Sequence, residues 1–107
     1  MTTYAAAGWT ALGDPTRRTI FELVAARPRA VRELASGLPV SRPAVSQHLK
    51  VLKEAGLVTD RRNGNCRIYE VNHDGLKQLR ADLDRFWTSA LDAYKAAVEQ
   101  PTQEDKQ

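Results

Sequence analysis

Apolar residues recur at helical spacing through residues 41–56, between residues that favour the start and the end of a helix. Ser41 can cap the first turn, Pro43 costs little inside that turn, and Gly56 suits the left-handed position after the last turn. The apolar positions share one helix face because they lie three or four residues apart; they are Val45, Leu49, Leu52 and Ala55. The pattern predicts one amphipathic helix that buries this stripe.

The opposite face of this helix carries hydrogen-bond donors, three of them cationic. They are Arg42, Ser46, Gln47, Lys50 and Lys53. Short donors near the helix start and cationic donors beyond them suit the major groove of duplex DNA. Lysine and arginine also cover ordinary solvated helices, but only one acid, Glu54, lies on this face. Together with the neighbouring predicted elements, this face indicates a helix that recognises DNA bases.

Four further helices are predicted around this one. They cover about residues 3–12, 15–26, 31–38 and 74–100. Asp14 is placed to cap the second helix, and Pro15 suits its first position. The helix at 31–38, the turn at 37–40 and the donor-faced helix form a helix-turn-helix unit.

A β-hairpin is predicted after the donor-faced helix, from strands at residues 57–62 and 65–71 around Asn63-Gly64. Both turn residues tolerate the positive φ of a type I′ turn. This register places Asp60 opposite Arg67, where the two can form a cross-strand ion pair. Basic residues at the tip predict a wing that reaches phosphates or the minor groove, although a solubilising hairpin would have a similar pattern.

Two segments resemble the ArsR family of bacterial winged-helix repressors. SRPAVSQHLKVL at 41–52, continuing into EAGLV at 54–58, is similar to the recognition helix of that family, and ALGDPTRR at 11–18 is similar to its early helix start. With the hairpin, the resemblance covers about residues 9–100. It implies a homodimeric repressor of an imperfectly palindromic operator, near its own promoter.

The expected fold is mainly α with a small β-hairpin (α+β): a winged helix-turn-helix of about five helices and one two-stranded wing. Residues 1–100 form the expected DNA-binding and dimerisation domain, and residues 101–107 a polar tail expected to be disordered. The predicted DNA-contacting residues are Ser41, Arg42, Pro43, Ala44, Ser46, Gln47, Lys50, Arg61, Arg62, Asn65 and Arg67.

The apolar face of the last helix is wider than one contact inside a small domain requires. Part of it would stay exposed in a monomer, which indicates a partner surface. For each aromatic residue taken singly, a place in an ordinary core is the better interpretation. Because the resembling family dimerises through its first and last helices, the expected interface residues are Tyr4, Trp9, Leu83, Phe86, Trp87, Leu91 and Tyr94.

Charge supports a polyanionic partner. The net charge is +3 over 107 residues, but residues 14–67 hold 11 basic against 5 acidic side chains, a balance of +6. No apolar run approaches a membrane span, and the first residues lack the cationic and apolar segments of a secretory signal. One cysteine fits a reducing cytoplasm, the expected location.

Metal sensing, the best known mechanism of the resembling family, is expected to be absent. Residues 32–36 read RELAS where many relatives carry a cysteine pair, and no histidine follows His73. One cysteine and two histidines do not supply a four-ligand zinc site. Cys66, beside the wing arginines, is either a passive strand residue or a redox switch. His48 is expected to pack rather than to read bases.

Enzyme motifs are also missing, since the chain has no phosphate-binding glycine loop, nucleophile elbow or HExxH sequence. We therefore expect a DNA-binding regulator without catalytic activity, cofactor or membrane partner. The alternative is a winged helix that serves as a protein-interaction or RNA-binding module.

Overall fold

The computed structural model describes the backbone of residues 3–99 and the side chains of residues 7–99. Within these residues, five helices and three strands follow one another in the order α1 (Thr3–Ala11), α2 (Pro15–Ala26), β1 (Arg29–Ala30), α3 (Val31–Ser36), α4 (Arg42–Glu54), β2 (Val58–Asn63), β3 (Cys66–Val71) and α5 (His73–Glu99). The predicted winged helix-turn-helix is confirmed. The predicted polar tail lies outside the described residues.

The predicted helix caps of α2 and α4 are present. The Ser41 hydroxyl accepts the Ala44 backbone N–H at 3.2 Å, and the Asp14 carboxylate accepts the Arg17 N–H at 2.9 Å. Gly56, two residues beyond α4, has a φ of 80°, which a residue with a side chain rarely adopts. These local signals therefore define where the DNA-reading candidate helix begins and ends.

The two-stranded wing prediction is wrong, because the sheet has three antiparallel strands in the order β1-β3-β2. β1 pairs through Arg29 with Tyr69 and through Ala30 with Ile68. After α2 the backbone is extended at Arg27, and Pro28 cannot continue a helix. The chain therefore runs along β3 before α3 begins, and ties the start of α3 to the wing.

The predicted wing register is also wrong. Asn63 pairs with Cys66, so Gly64 and Asn65 are the central turn residues, and only Gly64 has positive φ, at 66°. A type I′ turn needs positive φ at both central residues, whereas glycine at the first position is typical of type II′. Asp60 therefore pairs with Tyr69, not Arg67.

The core forms where α4 packs against α2, α3 and the wing. Val45, Leu49 and Leu52 are fully buried, as the apolar stripe predicted. They belong to one buried cluster with Ile20, Val24, Leu34, Leu57 and Val58. Each such side chain stabilises the fold by about 1.5–3 kcal/mol. Since this stripe fixes the rotation of α4 about its axis, the donor face must point to solvent.

Candidate nucleic-acid interface

The outer face of α4 presents the predicted base-reading side chains to solvent. Ser46, Gln47 and Lys50 are exposed between the buried positions of the same helix. At the helix start, three more candidates are exposed and one, Ala44, is half-buried; the exposed ones are Ser41, Arg42 and Pro43. His48 faces α2 instead, with Nδ1 3.5 Å from the Arg17 guanidinium and 3.8 Å from the Asp14 carboxylate. The expectation that His48 packs is confirmed.

The wing arginines differ in how they are engaged. Arg61 lies 3.6 Å from the Glu70 carboxylate across the sheet, which offsets part of its charge. Arg62 is exposed and takes part in no ion pair within residues 7–99. Asn65 is exposed at the turn. Arg62 is therefore the wing cation most available to an external anion.

Asp60 joins the recognition-helix candidate to the wing. Its carboxylate accepts from Lys53 at the end of α4, at 2.8 Å, and from Arg67 on β3, at 3.0 Å. The predicted pair of Asp60 and Arg67 is thus present, although between diagonal neighbours. The hydrogen bond from Lys53, and next that from Arg67, hold the pKa of Asp60 below its usual value. The link to Lys53 was missed, because α4 and β2 meet only in the fold.

A cleft of about 490 Å³ lies between α3, the start of α4 and the wing. It is lined by predicted DNA-contacting residues of α4 and of the wing, together with residues of the β1–α3 segment. The lining consists of Ala30, Val31, Arg32, Arg42, Pro43, Ser46, Asn65, Cys66 and Arg67. Arg32 was absent from the predicted site; its sequence signal is a cation in the first turn of the helix before the recognition helix.

The large apolar side chains of α5 that are predicted for the dimer interface are exposed in the single chain. Phe86, Trp87, Leu91 and Tyr94 are 64%, 52%, 56% and 69% exposed. Leu83 and Val98 extend the same apolar surface, which lies beyond the last buried residue of the helix, Leu79. A run of large apolar side chains in water marks an interaction surface.

Helix α1 lies against α5 beside this surface. Trp9 is partly exposed, and its indole Nε1 donates to the Asp82 carboxylate at 2.7 Å. This hydrogen bond, and then Arg85, hold the pKa of Asp82 below its usual value. Trp9 thus contacts α5 of its own chain, and the side chain of Tyr4 lies outside the described residues.

A redox cysteine, a metal site and a membrane span were also considered from the sequence. Cys66 is a half-buried free cysteine on β3, and its redox role stays a prediction. Across the described part of the chain, no three His, Cys, Asp or Glu side chains are grouped so as to hold a metal ion. None of the described helices is long and apolar enough to cross a bilayer.

Known proteins are similar to this chain in sequence and in fold. The model of the arsR family of bacterial regulatory proteins matches residues 14–60. The HTH-type transcriptional regulator Rv2034 of Mycobacterium tuberculosis is 59% identical over 91 residues, 85% of each chain. The arsenical resistance operon repressor of Staphylococcus xylosus is 36% identical over 73% of this chain and 75% of its own. A homodimeric winged helix-turn-helix DNA-binding domain from Mycobacterium bovis superposes with a TM-score of 0.61 at 26% identity, covering 91% of this chain and 83% of that domain.

Proposed function

We propose a separate role for each exposed surface of this chain, which belongs to the arsR family of bacterial regulatory proteins and is a winged helix-turn-helix transcriptional regulator. As a homodimer, it binds an imperfectly palindromic operator, near its own promoter, and represses transcription there. The observation that carries this proposal is the outer face of α4, whose donors are exposed because the opposite stripe is buried.

The α4 face supplies sequence recognition. Gln47 and Ser46 lie one to two turns from the helix start, where side chains of a recognition helix reach base edges. Glutamine pairs bidentately with adenine N6 and N7, which contributes about 1–3 kcal/mol of discrimination. Arg42 and Lys50 flank these readers and bind the backbone. Arg62 extends from the wing to phosphates or the adjacent minor groove.

The exposed surface of α5 supports the dimer. Two copies that bury Phe86, Trp87, Leu91 and Tyr94 against each other form a self-complementary interface about a two-fold axis. Such an axis presents two α4 helices to successive major grooves, and a palindromic operator mirrors this symmetry. Tyr94 and Trp87 have the character of interface anchors, large and amphipathic.

The alternative of a protein-interaction or RNA-binding module is less compatible with this surface. The major groove of an RNA duplex is too deep and narrow for a helix to read. We assign no catalytic activity to the chain, and its action on the chromosome places it in the cytoplasm. No cofactor is required for the proposed DNA contacts.

The test is selection from a random-sequence duplex pool, followed by footprinting of the enriched DNA. We expect two related half-sites whose centres lie one helical turn, about 10 base pairs, apart. The matched comparison is single-stranded RNA with the same number of phosphates as the duplex. Failure to enrich any sequence, or equal affinity for the RNA, would contradict operator recognition.

A further inference from the structure

The cleft between α3, α4 and the wing is lined by positively charged side chains. Three arginines line it, Arg32 from α3, Arg42 from α4 and Arg67 from β3, and none of its nine lining residues is acidic. Arg67 is engaged by Asp60 at 3.0 Å. Arg32 and Arg42 are exposed and belong to no ion pair within residues 7–99. Two uncompensated guanidinium groups thus share one cleft.

We propose that this cleft binds a single phosphate of the DNA backbone, with Arg32 and Arg42 as its ligands. This assignment rests on the proposed operator binding and adds to it a DNA-contacting residue outside the recognition helix and the wing tip. Arg32 is that residue. Arg67 forms the far wall of the cleft, where its pairing with Asp60 keeps it in place.

The chemistry of the cleft favours a phosphate over other occupants. Small-molecule pockets are lined mainly by apolar and aromatic side chains, whereas this one has no aromatic residue and contains three arginines with Ser46 and Asn65. A guanidinium group offers paired N–H donors in a planar fork that matches two phosphate oxygens. A single phosphate group therefore satisfies Arg32 and Arg42 together.

The position of the cleft favours a phosphate of DNA. Ser46, which faces the cleft, also lies on the outer face of α4 beside the base-reading candidate Gln47. A strand of the DNA backbone borders the major groove that such a helix enters, and the preceding helix of a helix-turn-helix crosses that backbone. β1 ties the segment carrying Arg32 to the wing through Ala30 and Ile68, so the two sides of the cleft are held together.

The first experiment measures binding of the selected operator and of a scrambled duplex across a salt series. Arg32→Ala should weaken both duplexes to a similar extent, on the order of tenfold at low salt. The slope of log affinity against log salt should fall by about 0.9 for each lost contact, and so by about two in a dimer. Arg32→Lys should restore much of the slope, since lysine binds phosphate as a point charge.

The matched control is Lys77→Ala, which removes one positive charge from an exposed position of α5 that does not line the cleft. It should leave the slope unchanged. If Arg32→Ala has the slope of the wild type, Arg32 does not contact a DNA phosphate and the inference is overturned. The proposed function fails separately, if the wild type does not distinguish the operator from the scrambled duplex.

The second experiment locates the phosphate. Operators are made with one neutral methylphosphonate linkage at each backbone position in turn. We expect one position per half-site at which the neutral linkage weakens the wild type clearly more than Arg32→Ala, which keeps only the Arg42 contact, while other positions affect both proteins equally. Equal sensitivity of both proteins at every position would overturn the inference.

A third measurement separates DNA phosphate from a free anion, with inorganic phosphate added at constant ionic strength. DNA phosphate as the occupant predicts only weak competition by millimolar phosphate and an altered salt slope in Arg32→Ala. If phosphate strongly changes DNA affinity of the wild type, and Arg32→Ala removes this response without changing the slope, the cleft is an effector site and the inference is wrong.

Discussion

Gly75, in the first turn of α5, packs directly on the backbone carbonyl of Gly56, which follows the end of α4. A Cβ atom on Gly75 would overlap this carbonyl oxygen. The Asn72 side chain donates to the same Gly56 oxygen at 3.0 Å, and the Asn72 backbone N–H donates to the Leu57 carbonyl at 2.9 Å. The helix proposed for dimerisation therefore starts on the end of the helix proposed for DNA reading.

We expect Gly75→Ala to destabilise the protein by about 1–3 kcal/mol, because backbone atoms must move to admit the methyl group. The helix propensity of alanine offsets at most about 1 kcal/mol of this loss. Chemical denaturation measures the change. Gly37→Ala is the matched control, since a Cβ atom there meets no atom within 4 Å. A Gly75→Ala protein as stable as this control would contradict the close packing.

Asp60→Asn should lower stability by about 1–2 kcal/mol at neutral pH, because it weakens the charge-assisted hydrogen bonds from both Lys53 and Arg67. The folded pKa of Asp60 lies below the ordinary value of 3.8, so its stabilisation is present above pH 3.8. It is lost as the pH falls further, through the folded pKa.

The measurement for Asp60 is denaturation of wild type and variant between pH 7 and pH 2, where the two curves should converge at the acid end. Asp84→Asn, at an exposed position of α5, serves as the control and should stay within about 0.5 kcal/mol of wild type. A constant difference down to pH 2 would show that the effect of Asp60 is not ionic.

The proposed dimer is tested by Leu91→Asp. Leu91 is 56% exposed in the single chain, so the change should cost the monomer little stability while placing a charge in an apolar interface. Sedimentation at micromolar concentration should give about twice 11.9 kDa for the wild type and 11.9 kDa for the variant. Thr88→Asp, at an exposed polar position of the same helix, should remain dimeric. A monomeric wild type would remove the dimer proposal.

Variants of a base-reading residue and of a phosphate-binding residue should differ in the salt dependence of their DNA affinity. Gln47→Ala should lose operator affinity and leave scrambled DNA nearly unaffected, because an uncharged side chain releases no counterions. Arg62→Ala should weaken both duplexes alike and lower the salt slope by about one per lost contact, or about two in a symmetric dimer. If Gln47→Ala weakens both duplexes equally with a changed slope, Gln47 is not a base reader.

Sequence reasoning succeeded where structure is decided locally. Ser41 and Asp14 act on backbone groups three residues away, so their patterns alone located the starts of α4 and α2. The apolar stripe of α4 likewise fixed which face is buried. Local signals therefore recovered the helices and the candidate DNA-reading face, whose individual contacts remain proposals.

The prediction errors arose where the structure depends on pairing between residues that are distant in the sequence. Asn63-Gly64-Asn65 allows two adjacent two-residue turns, and the observed register pairs Val58 with Val71. It differs from the predicted pairing by two residues, and a shift of two keeps every side chain on its face. For that reason the ion pair of Asp60 and Arg67 survived the wrong register. β1 has only two residues, and pairing with β3 alone makes it a strand.

β1 also determines which edge of the sheet stays open to other molecules. Since β3 lies between β1 and β2, the long open edge within the described sheet belongs to β2. That edge carries Arg61 and Arg62, and two like-charged strands placed edge to edge would repel each other. This repulsion disfavours pairing of the β2 edges of two protein molecules that bind next to each other on DNA.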